Sequence, residues 1–360
     1  MTTIKTIVHA CVCVCVCVCV CVCVCVYLYL PHTEVKTVQP NAHTIHSANM
    51  NVSVVTFFYL SDYYGMMELK PLYFCTFLIL YITILTENVM LVGVIFLEKS
   101  LHEPMYVLLC NLAVNELLGS TALLPALLTN ILSHTHQVSV LFCQTQVFAI
   151  HTYAMIEFTI LAVMSYDRFV AICHPLSYHA MMSERLVKLV VFMWIYPCVA
   201  FGFLFMFTVQ LPYCGRTIEK LYCVNYLLVK LVCTDTFIMN IFGLLTVVIY
   251  AVPQLVMIFY SYGHILKICI QSFSGSKFKA LRTCTPHILA VINYSIGCFF
   301  ELAQGRLDSR HMSYSVKMFM SLYFLVFPPL LNAVIYGLSA KIIRKRFFRL
   351  FNPNLYLIKK

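Results

Sequence analysis

Residues 164–176, Met-Ser-Tyr-Asp-Arg-Phe-Val-Ala-Ile-Cys-His-Pro-Leu, close an apolar run that begins near residue 141. The run is longer than the roughly 20 residues that a helix needs to cross the hydrocarbon core of a bilayer. Asp167 and Arg168 would then lie where this helix leaves the membrane. Taken alone, the pair also fits a snorkelling arginine beside a counter-charge. The stretch predicts a membrane helix that ends in a charged pair.

The composition of the whole chain supports a membrane location. Of the 360 residues, 61% are hydrophobic and only 11% are charged, whereas a soluble domain carries about 25% charged residues. A water-soluble globule of this length could not cover so much apolar surface with polar groups. This excludes an ordinary soluble enzyme and a nucleic-acid binder, despite the formal net charge of +10.

Seven apolar runs follow Lys70 along the chain. Each is long enough to cross a bilayer as a helix, and none has the alternation of a membrane barrel, so only helices would satisfy their backbone groups. We predict an all-α membrane protein, a seven-transmembrane helix bundle at 71–337, with a short amphipathic helix in the basic tail at 338–360. The runs cover 71–97, 104–131, 141–172, 186–209, 237–268, 280–302 and 312–337.

The lysines and arginines between the runs predict the orientation. If residues 50–70 are an extracellular amino terminus, the inner loops and tail hold 15 Lys and Arg and the outer segments hold seven. Inner loops of membrane proteins carry the excess of positive charge. We therefore predict an external amino terminus and a cytoplasmic tail.

Residues 1–49 are predicted to be a non-native leader. Within them, 11–26 are eight consecutive Cys–Val pairs, which is what translation of a TG dinucleotide repeat would produce. A β-strand or an additional membrane span would be alternative structures for this tract. Met50 begins a short polar segment that contains Asn51 in an N-glycosylation sequon.

The string at 164–176 resembles the third-helix signature of odorant receptors, a branch of the rhodopsin-like G-protein-coupled receptors. The resemblance extends over most of the chain. The set of motifs is most similar to that of the fish-type, water-borne-odorant branch. One position departs from the pattern, because Ala333 stands where the family usually has proline. The other matching motifs are Leu-His-Glu-Pro-Met-Tyr at 101–106, Ser-Tyr at 261–262, Lys-Ala-Leu-Arg-Thr-Cys-Thr-Pro-His at 279–287 and Pro-Pro-Leu-Leu-Asn-Ala-Val-Ile-Tyr-Gly at 328–337.

The resemblance implies an odorant receptor in the plasma membrane, in sensory cilia if it is olfactory. It would bind a small external molecule in the outer half of the bundle and activate a stimulatory heterotrimeric G protein, which raises cyclic AMP. It would not be an enzyme, and no signature of catalysis occurs in the sequence. The resemblance implies a G-protein switch made of Asp167, Arg168, Tyr262, Asn332 and Tyr336.

Four cysteines border the predicted outer ends of the third, fourth and fifth spans. An oxidising compartment on that side would pair them, but the sequence alone allows three pairings. The resemblance implies Cys143–Cys223, which would hold the loop to the third helix, and Cys214–Cys233, which would close the loop on itself.

Glu116 and Glu157 lie near the middle of the second and third spans, where a lone charge is costly. Each could simply be protonated and hydrogen-bonded. Two carboxylates that converge in a medium of low dielectric constant cannot both ionise without a cation. The resemblance implies an internal sodium ion between them, with Asn88 and Asn332 completing the polar cluster.

His151 and Arg306 are the candidate ligand-binding residues. By resemblance, His151 faces the ligand side of the third helix, although an isolated histidine in a span is more often a helix-packing hydrogen bonder. Arg306 follows the sixth span and would pair with a carboxylate odorant, or it is a solvated loop charge. Phe148, Met155, Phe237 and Tyr294 are candidate apolar walls.

Three other functions stay open at this stage. A receptor of the same fold for a metabolite other than an odorant would differ in where it is expressed. A transporter or channel is suggested by Glu116 and Glu157, and the motif strings argue against it. A defective gene product is suggested by the repeat leader and by Ala333.

Overall fold

The computed structural model describes residues 55–271, 274–306, 312–339 and 343–344. The predicted leader, the Asn51 sequon and most of the predicted tail helix lie outside these ranges. Within them, seven helices are long and apolar enough to cross a membrane. The predicted seven-transmembrane bundle is confirmed.

The seven helices, named α1 to α7, agree closely with the predicted spans. The largest difference is at α4, which begins eight residues before the predicted 186. The added residues, 178–185, form about two turns and include His179, Glu184 and Arg185, so hydropathy alone could not detect them. The helices are α1 (Lys70–Leu97), α2 (Pro104–Leu132), α3 (Val140–Cys173), α4 (Tyr178–Val209), α5 (Phe237–Gln271), α6 (Ser274–Arg306) and α7 (Tyr314–Ser339).

Local sequence explains where the helices begin. Pro104 occupies the first turn of α2, where its missing N–H would have no partner in any case. Ser139 precedes α3, and its hydroxyl accepts from the backbone N–H of Phe142 at 3.1 Å, as N-cap serines do. α7 remains helical through Pro328, Pro329 and the buried Ala333.

The helices differ greatly in how much of their surface the bundle encloses. In the apolar stretch of α2, 94% of the residues are buried, against 17% in α5. Lipid covers such exposed apolar faces in a bilayer, because it is as apolar as the side chains. Trp194 of α4 joins α2 by donating to the amide oxygen of Asn111 at 2.8 Å. The middle of α2 is therefore the centre of the bundle.

A small three-stranded sheet covers one end of the bundle. β1 (Phe57–Leu60) pairs antiparallel with β2 (Gln137–Ser139) and parallel with β3 (Thr217–Ile218). A 3-10 helix, Ser61–Leu69, leads from β1 into α1, and its Tyr63 donates to the backbone oxygen of Leu221 at 2.8 Å. This sheet was not predicted, because each strand is too short to show a periodic pattern.

Candidate functional site

Two disulfides lie at the end of the bundle that the sheet covers, which we call the disulfide end. The bonds join Cys143 to Cys223 and Cys214 to Cys233, the pairing that the resemblance implied. The backbone N–H of Cys223 also donates to the side-chain oxygen of Gln146, one turn along α3, at 3.0 Å. The loop before α5 is therefore held directly against α3.

The opposite end carries the charged pair of α3, and we call it the Asp–Arg end. Arg168 donates to one carboxylate oxygen of Asp167 from Nε at 2.9 Å and from Nη2 at 2.5 Å. Tyr178, at the start of α4, donates to the other oxygen at 2.8 Å. Both oxygens of the buried Asp167 therefore have partners, and Arg168 is held against its own helix.

A second set of contacts at the Asp–Arg end joins α3, α5 and α6 through His287. In its neutral form, the ring donates from Nε2 to the backbone oxygen of Leu161 at 3.0 Å. Its Nδ1 accepts a hydrogen bond from the hydroxyl of Tyr262. The Tyr336 hydroxyl of α7 is buried without a hydrogen-bond partner among the described residues. Tyr262 and Tyr336 are thus at the predicted end of the bundle, but they do not bond to each other.

Sequence reasoning missed two residues of this region as site residues. Tyr178 gave no signal, since it fell in the loop predicted between the spans 141–172 and 186–209. His287 ends a motif that resembles the family, yet its two partners are distant in sequence and could not be read from the motif.

Glu116 and Glu157 meet in the middle of the bundle, and both are fully buried. Asn332 of α7 donates to Oε1 of Glu116 at 2.6 Å and lies 3.2 Å from Oε1 of Glu157. Tyr153, another residue that sequence reasoning missed, donates to Oε2 of Glu116 at 3.0 Å. Asn88 instead donates to the backbone oxygens of Ile84 and Pro329.

Some oxygen atoms of this cluster lack a hydrogen-bond partner. Glu157 Oε2 and Asn332 Oδ1 are buried and have no hydrogen-bond partner within the described part of the chain. The side-chain oxygen of Asn88 is likewise buried without a partner there, but no hydrogen bond joins Asn88 to the two glutamates. Carboxylate and amide oxygens are the ligands that hard cations prefer. No group of three or more His, Cys, Asp and Glu side chains arranged for a metal occurs in the described ranges. The donors would therefore be two carboxylates and amides.

His151 lies in α3 two turns from Cys143. Its Nδ1 donates to the backbone oxygen of Val147 at 2.8 Å, and its ring stacks on Phe201 of α4 at 4.7 Å between centroids. The side chain is partly accessible. Among the other candidates, Phe148 contacts the ring of Phe201.

The other residues predicted to contact a ligand do not share one environment. Tyr294 of α6 donates to the backbone oxygen of Ala154 at 2.9 Å, so its side chain packs against α3. Phe237 is 66% exposed at the start of α5. Arg306 is the last residue of α6, and its side chain lies outside the described part.

An ion pair at the disulfide end was not predicted from the sequence. Lys220, in the loop after β3, places Nζ 2.5 Å from Oε1 of Glu301 in α6. Tyr222 donates to Oε2 of Glu301 at 3.1 Å and to the backbone oxygen of Ser321 at 2.8 Å. Burial, and then the nearby Glu301 carboxylate, raise the pKa of the Tyr222 phenol well above its usual value, so it stays a neutral donor.

Comparison with known proteins gives one consistent result. The profile of a family described as olfactory receptor matches residues 77–353. Olfactory receptor 4K3 of Homo sapiens is 33% identical over 293 residues, which cover 81% of this chain and 91% of that protein. Human olfactory receptor 51E1 is 31% identical over 306 residues, covering 84% and 96%, and human olfactory receptor 52D1 is 31% identical over 279 residues, covering 77% and 88%.

Proposed function

The chain belongs to the olfactory receptor family, and from that premise we propose that its disulfide end receives a small external ligand and its Asp–Arg end activates a stimulatory G protein. It is an odorant receptor with seven membrane-spanning helices. The observation that carries the coupling proposal is the closed network at the Asp–Arg end. There, Arg168 and Tyr178 each donate to a different carboxylate oxygen of Asp167.

The coupling would be a shift between two populations. The ligand region and the charged pair lie at opposite ends of α3, so a ligand acts on the pair only by binding one state of the bundle better. In the second state Arg168 would leave Asp167 and meet the G protein. Tyr262, Asn332 and Tyr336 would take new partners in that state.

The proposed orientation places the disulfide end outside the cell. Both disulfides and the amino-terminal strand lie at that end, and disulfides persist in oxidising compartments. The excess of Lys and Arg belongs to the segments of the other side. These observations support a plasma-membrane receptor with its amino terminus outside.

Nucleotide exchange on purified G proteins tests the proposed coupling. The receptor would be placed in lipid nanodiscs and given a panel of acids, amines, amino acids and neutral odorants. We expect a ligand that accelerates exchange on the stimulatory α subunit more than on inhibitory or Gq-type α subunits. Acceleration of another subunit alone would contradict the stimulatory assignment, and ligand-independent ion flux in vesicles reconstituted with the same receptor would favour a transporter or channel.

We further propose that the Glu116–Glu157 cluster binds a regulatory sodium ion. The unpartnered oxygens of Glu157 and Asn332 support this, since a cation would satisfy them and neutralise the carboxylates. A ligand that binds only the folded state raises its stability by RT ln(1 + [L]/Kd). Replacing choline with sodium at constant ionic strength is therefore expected to raise the unfolding temperature of the purified receptor.

Substitutions in the cluster separate sodium binding from a general salt effect. Glu116→Gln and Glu157→Gln should each remove the sodium-dependent rise. Glu87→Gln is the matched control, because Glu87 is a half-buried carboxylate of α1 that makes no hydrogen bond with the cluster, and it should retain the rise. An equal rise in all three variants would refute the sodium site.

A further inference from the structure

His136 is a buried histidine in the short loop between α2 and β2, at the disulfide end. The residue is 2% exposed. Among the described residues, it is the only one other than glycine whose backbone is left-handed, with φ at 48°. Histidine is one of the few residue types that are enriched in this conformation. The loop therefore encloses a titratable ring in an uncommon backbone geometry.

Both the backbone and the ring of His136 contact residues 57–69, which we call the amino-terminal lid and which comprise β1 and the 3-10 helix. The backbone oxygen of His136 accepts a hydrogen bond from the N–H of Leu60 at 3.0 Å. The ring stacks on that of Tyr63, with 5.2 Å between centroids and 13° between planes. It lies nearly perpendicular to the ring of Tyr64, at 5.3 Å. His136 therefore contributes to holding the lid in place.

The lid in turn contacts two other parts of the disulfide end. Tyr63 donates to the backbone oxygen of Leu221, in the loop that Cys223 joins to α3. The backbone oxygen of Asp62 accepts from the hydroxyl of Tyr314 in α7 at 2.7 Å. Movement of the lid would therefore act on both the loop and α7.

Only one of the two ring nitrogens of His136 has a hydrogen-bond partner among the described residues. Nδ1 lies 3.0 Å from the backbone oxygen of Asn130, so Nδ1 is the donor and Nε2 carries no proton in the neutral ring. Nε2 is buried without a partner in the described ranges. A second proton would therefore be placed on a buried nitrogen that has no acceptor there.

The charged groups around His136 also oppose a second proton. Lys70, at the start of α1, is held nearby by donating to the backbone oxygen of Leu132 at 3.2 Å, and His134 belongs to the same loop. Burial lowers the pKa of His136, the hydrogen bond to Asn130 raises it in part, and Lys70 and His134 lower it further. The tyrosine rings attract a cation only weakly compared with the cost of burying a charge that has no acceptor. The closed lid thus favours the neutral ring.

We propose that His136 is a proton-binding site and that its protonation releases the amino-terminal lid. The neutral ring remains between the tyrosines and the lid stays closed. The protonated ring moves into water, and the N–H of Leu60 loses its acceptor. In the proposed orientation the protons come from the external medium. Acidification outside the cell would then loosen the segment that contacts the loop and α7.

The pH range of this effect follows from the two environments of the ring. In the open lid, His136 titrates near its usual pKa of about 6.5, whereas in the closed lid its pKa is lower. The stability of the closed lid is therefore fully present above about pH 6.5 and is lost progressively below it. While the closed ring stays neutral, the ratio of open to closed lid rises about tenfold between about pH 7.5 and about pH 5.5.

The acidic residues of the lid act differently from His136. Burial raises the pKa of the Asp62 carboxyl, Lys317 and Lys220 lower it in part, and Glu219 raises it. A carboxyl group with a raised pKa in the closed lid takes up its proton more readily there, so acid would stabilise the closed lid through Asp62. Glu68, the other acidic residue of the lid, is exposed. Release of the lid on acidification therefore points to the histidine.

Amide hydrogen exchange of the purified receptor in nanodiscs tests the inference, without a ligand or a G protein. Rates at about pH 7.5 and about pH 5.5 are divided by the intrinsic rates, so that only the opening equilibrium is compared. We expect the protection of β1 to fall about tenfold at the lower pH, while amides in the middle of α3 keep theirs. Equal protection of β1 at both pH values would overturn the proposal.

Variants then assign the proton to one residue. His136→Asn should remove the pH dependence, since asparagine tolerates the left-handed backbone and does not titrate. His134→Asn is the matched control, because His134 is an exposed histidine of the same loop, and it should retain the tenfold fall. A fall that persists in His136→Asn would refute the assignment.

The pH profile of the unmodified receptor decides the matter even if His136→Asn does not fold. We expect protection of β1 to begin falling near pH 6.5 and to lose about tenfold per pH unit below it, as the uptake of one proton requires. A fall that begins only below about pH 4.5, where carboxylates titrate, would overturn the proposal. Either failure leaves the receptor function standing, because exchange is measured without signalling.

Discussion

Replacing Arg168 with alanine is expected to abolish G-protein signalling while the receptor still reaches the cell surface. Arg168 is the charged group that the second state would offer to the G protein. Without it the second state loses a charged contact with the G protein, a loss of about 2–5 kcal/mol, and about 1.4 kcal/mol already changes a population tenfold. We expect maximal ligand-evoked cyclic AMP to fall below about a tenth of the unmodified level.

Two further variants show whether the loss of signalling is specific to Arg168. Arg185→Ala is the control, because Arg185 lies at the same end and donates to the Tyr166 hydroxyl at 2.6 Å from an exposed position; its signalling should persist. Asp167→Asn removes the charge that holds Arg168, so ligand-independent cyclic AMP should rise. Normal signalling by Arg168→Ala at equal surface density would contradict the switch.

Replacing Gly119 with alanine is expected to destabilise the bundle strongly. A Cβ atom on Gly119 would lie 2.3 Å from Cδ2 of the Tyr153 ring, far inside any normal contact. Tyr153 is buried and donates to Glu116, so its ring cannot move away without breaking that bond. Overpacking of this kind costs about 1–3 kcal/mol. The unfolding temperature and the surface level of Gly119→Ala should both fall.

Gly93 provides the matched control for this substitution. It is also a glycine within a membrane helix, but an added Cβ would meet nothing within 4 Å. Alanine is favoured over glycine in a helix interior by roughly 0.5–1 kcal/mol. Gly93→Ala should therefore unfold at the same temperature as the unmodified receptor, or a higher one. Equal unfolding temperatures for the Gly119 and Gly93 variants would show that α2 and α3 are not packed as described.

The bundle and its charged pair could be predicted because their signals are local. Apolar length alone predicts each span, and Asp167 and Arg168 are adjacent in sequence. Glu116 and Glu157 were detectable because a carboxylate in a span is exceptional. Hydropathy could not predict the first two turns of α4, because charged and polar residues such as His179, Glu184 and Arg185 lie among them.

The parts that could not be predicted depend on distant contacts. Lys220 has the sequence context of a solvated loop charge, and its partner Glu301 is 81 residues away. The Cys143–Cys223 disulfide and the pairing of β3 with β1 hold this loop against the bundle, and neither can be read from the residues around Lys220. The strands β1, β2 and β3 likewise come from three separated segments, and none of them is longer than four residues.

Ligand-evoked cyclic AMP in intact cells tests the central claim most directly. Cells would express the chain from Met50, beside cells that express its Arg168→Ala variant, with surface staining in the same wells. We predict a selective rise with at least one ligand of the acid, amine, amino-acid and neutral-odorant panel, and no rise in the Arg168 variant at equal staining. A rise that persists in the variant would contradict the account, because the signal would then not pass through the charged pair.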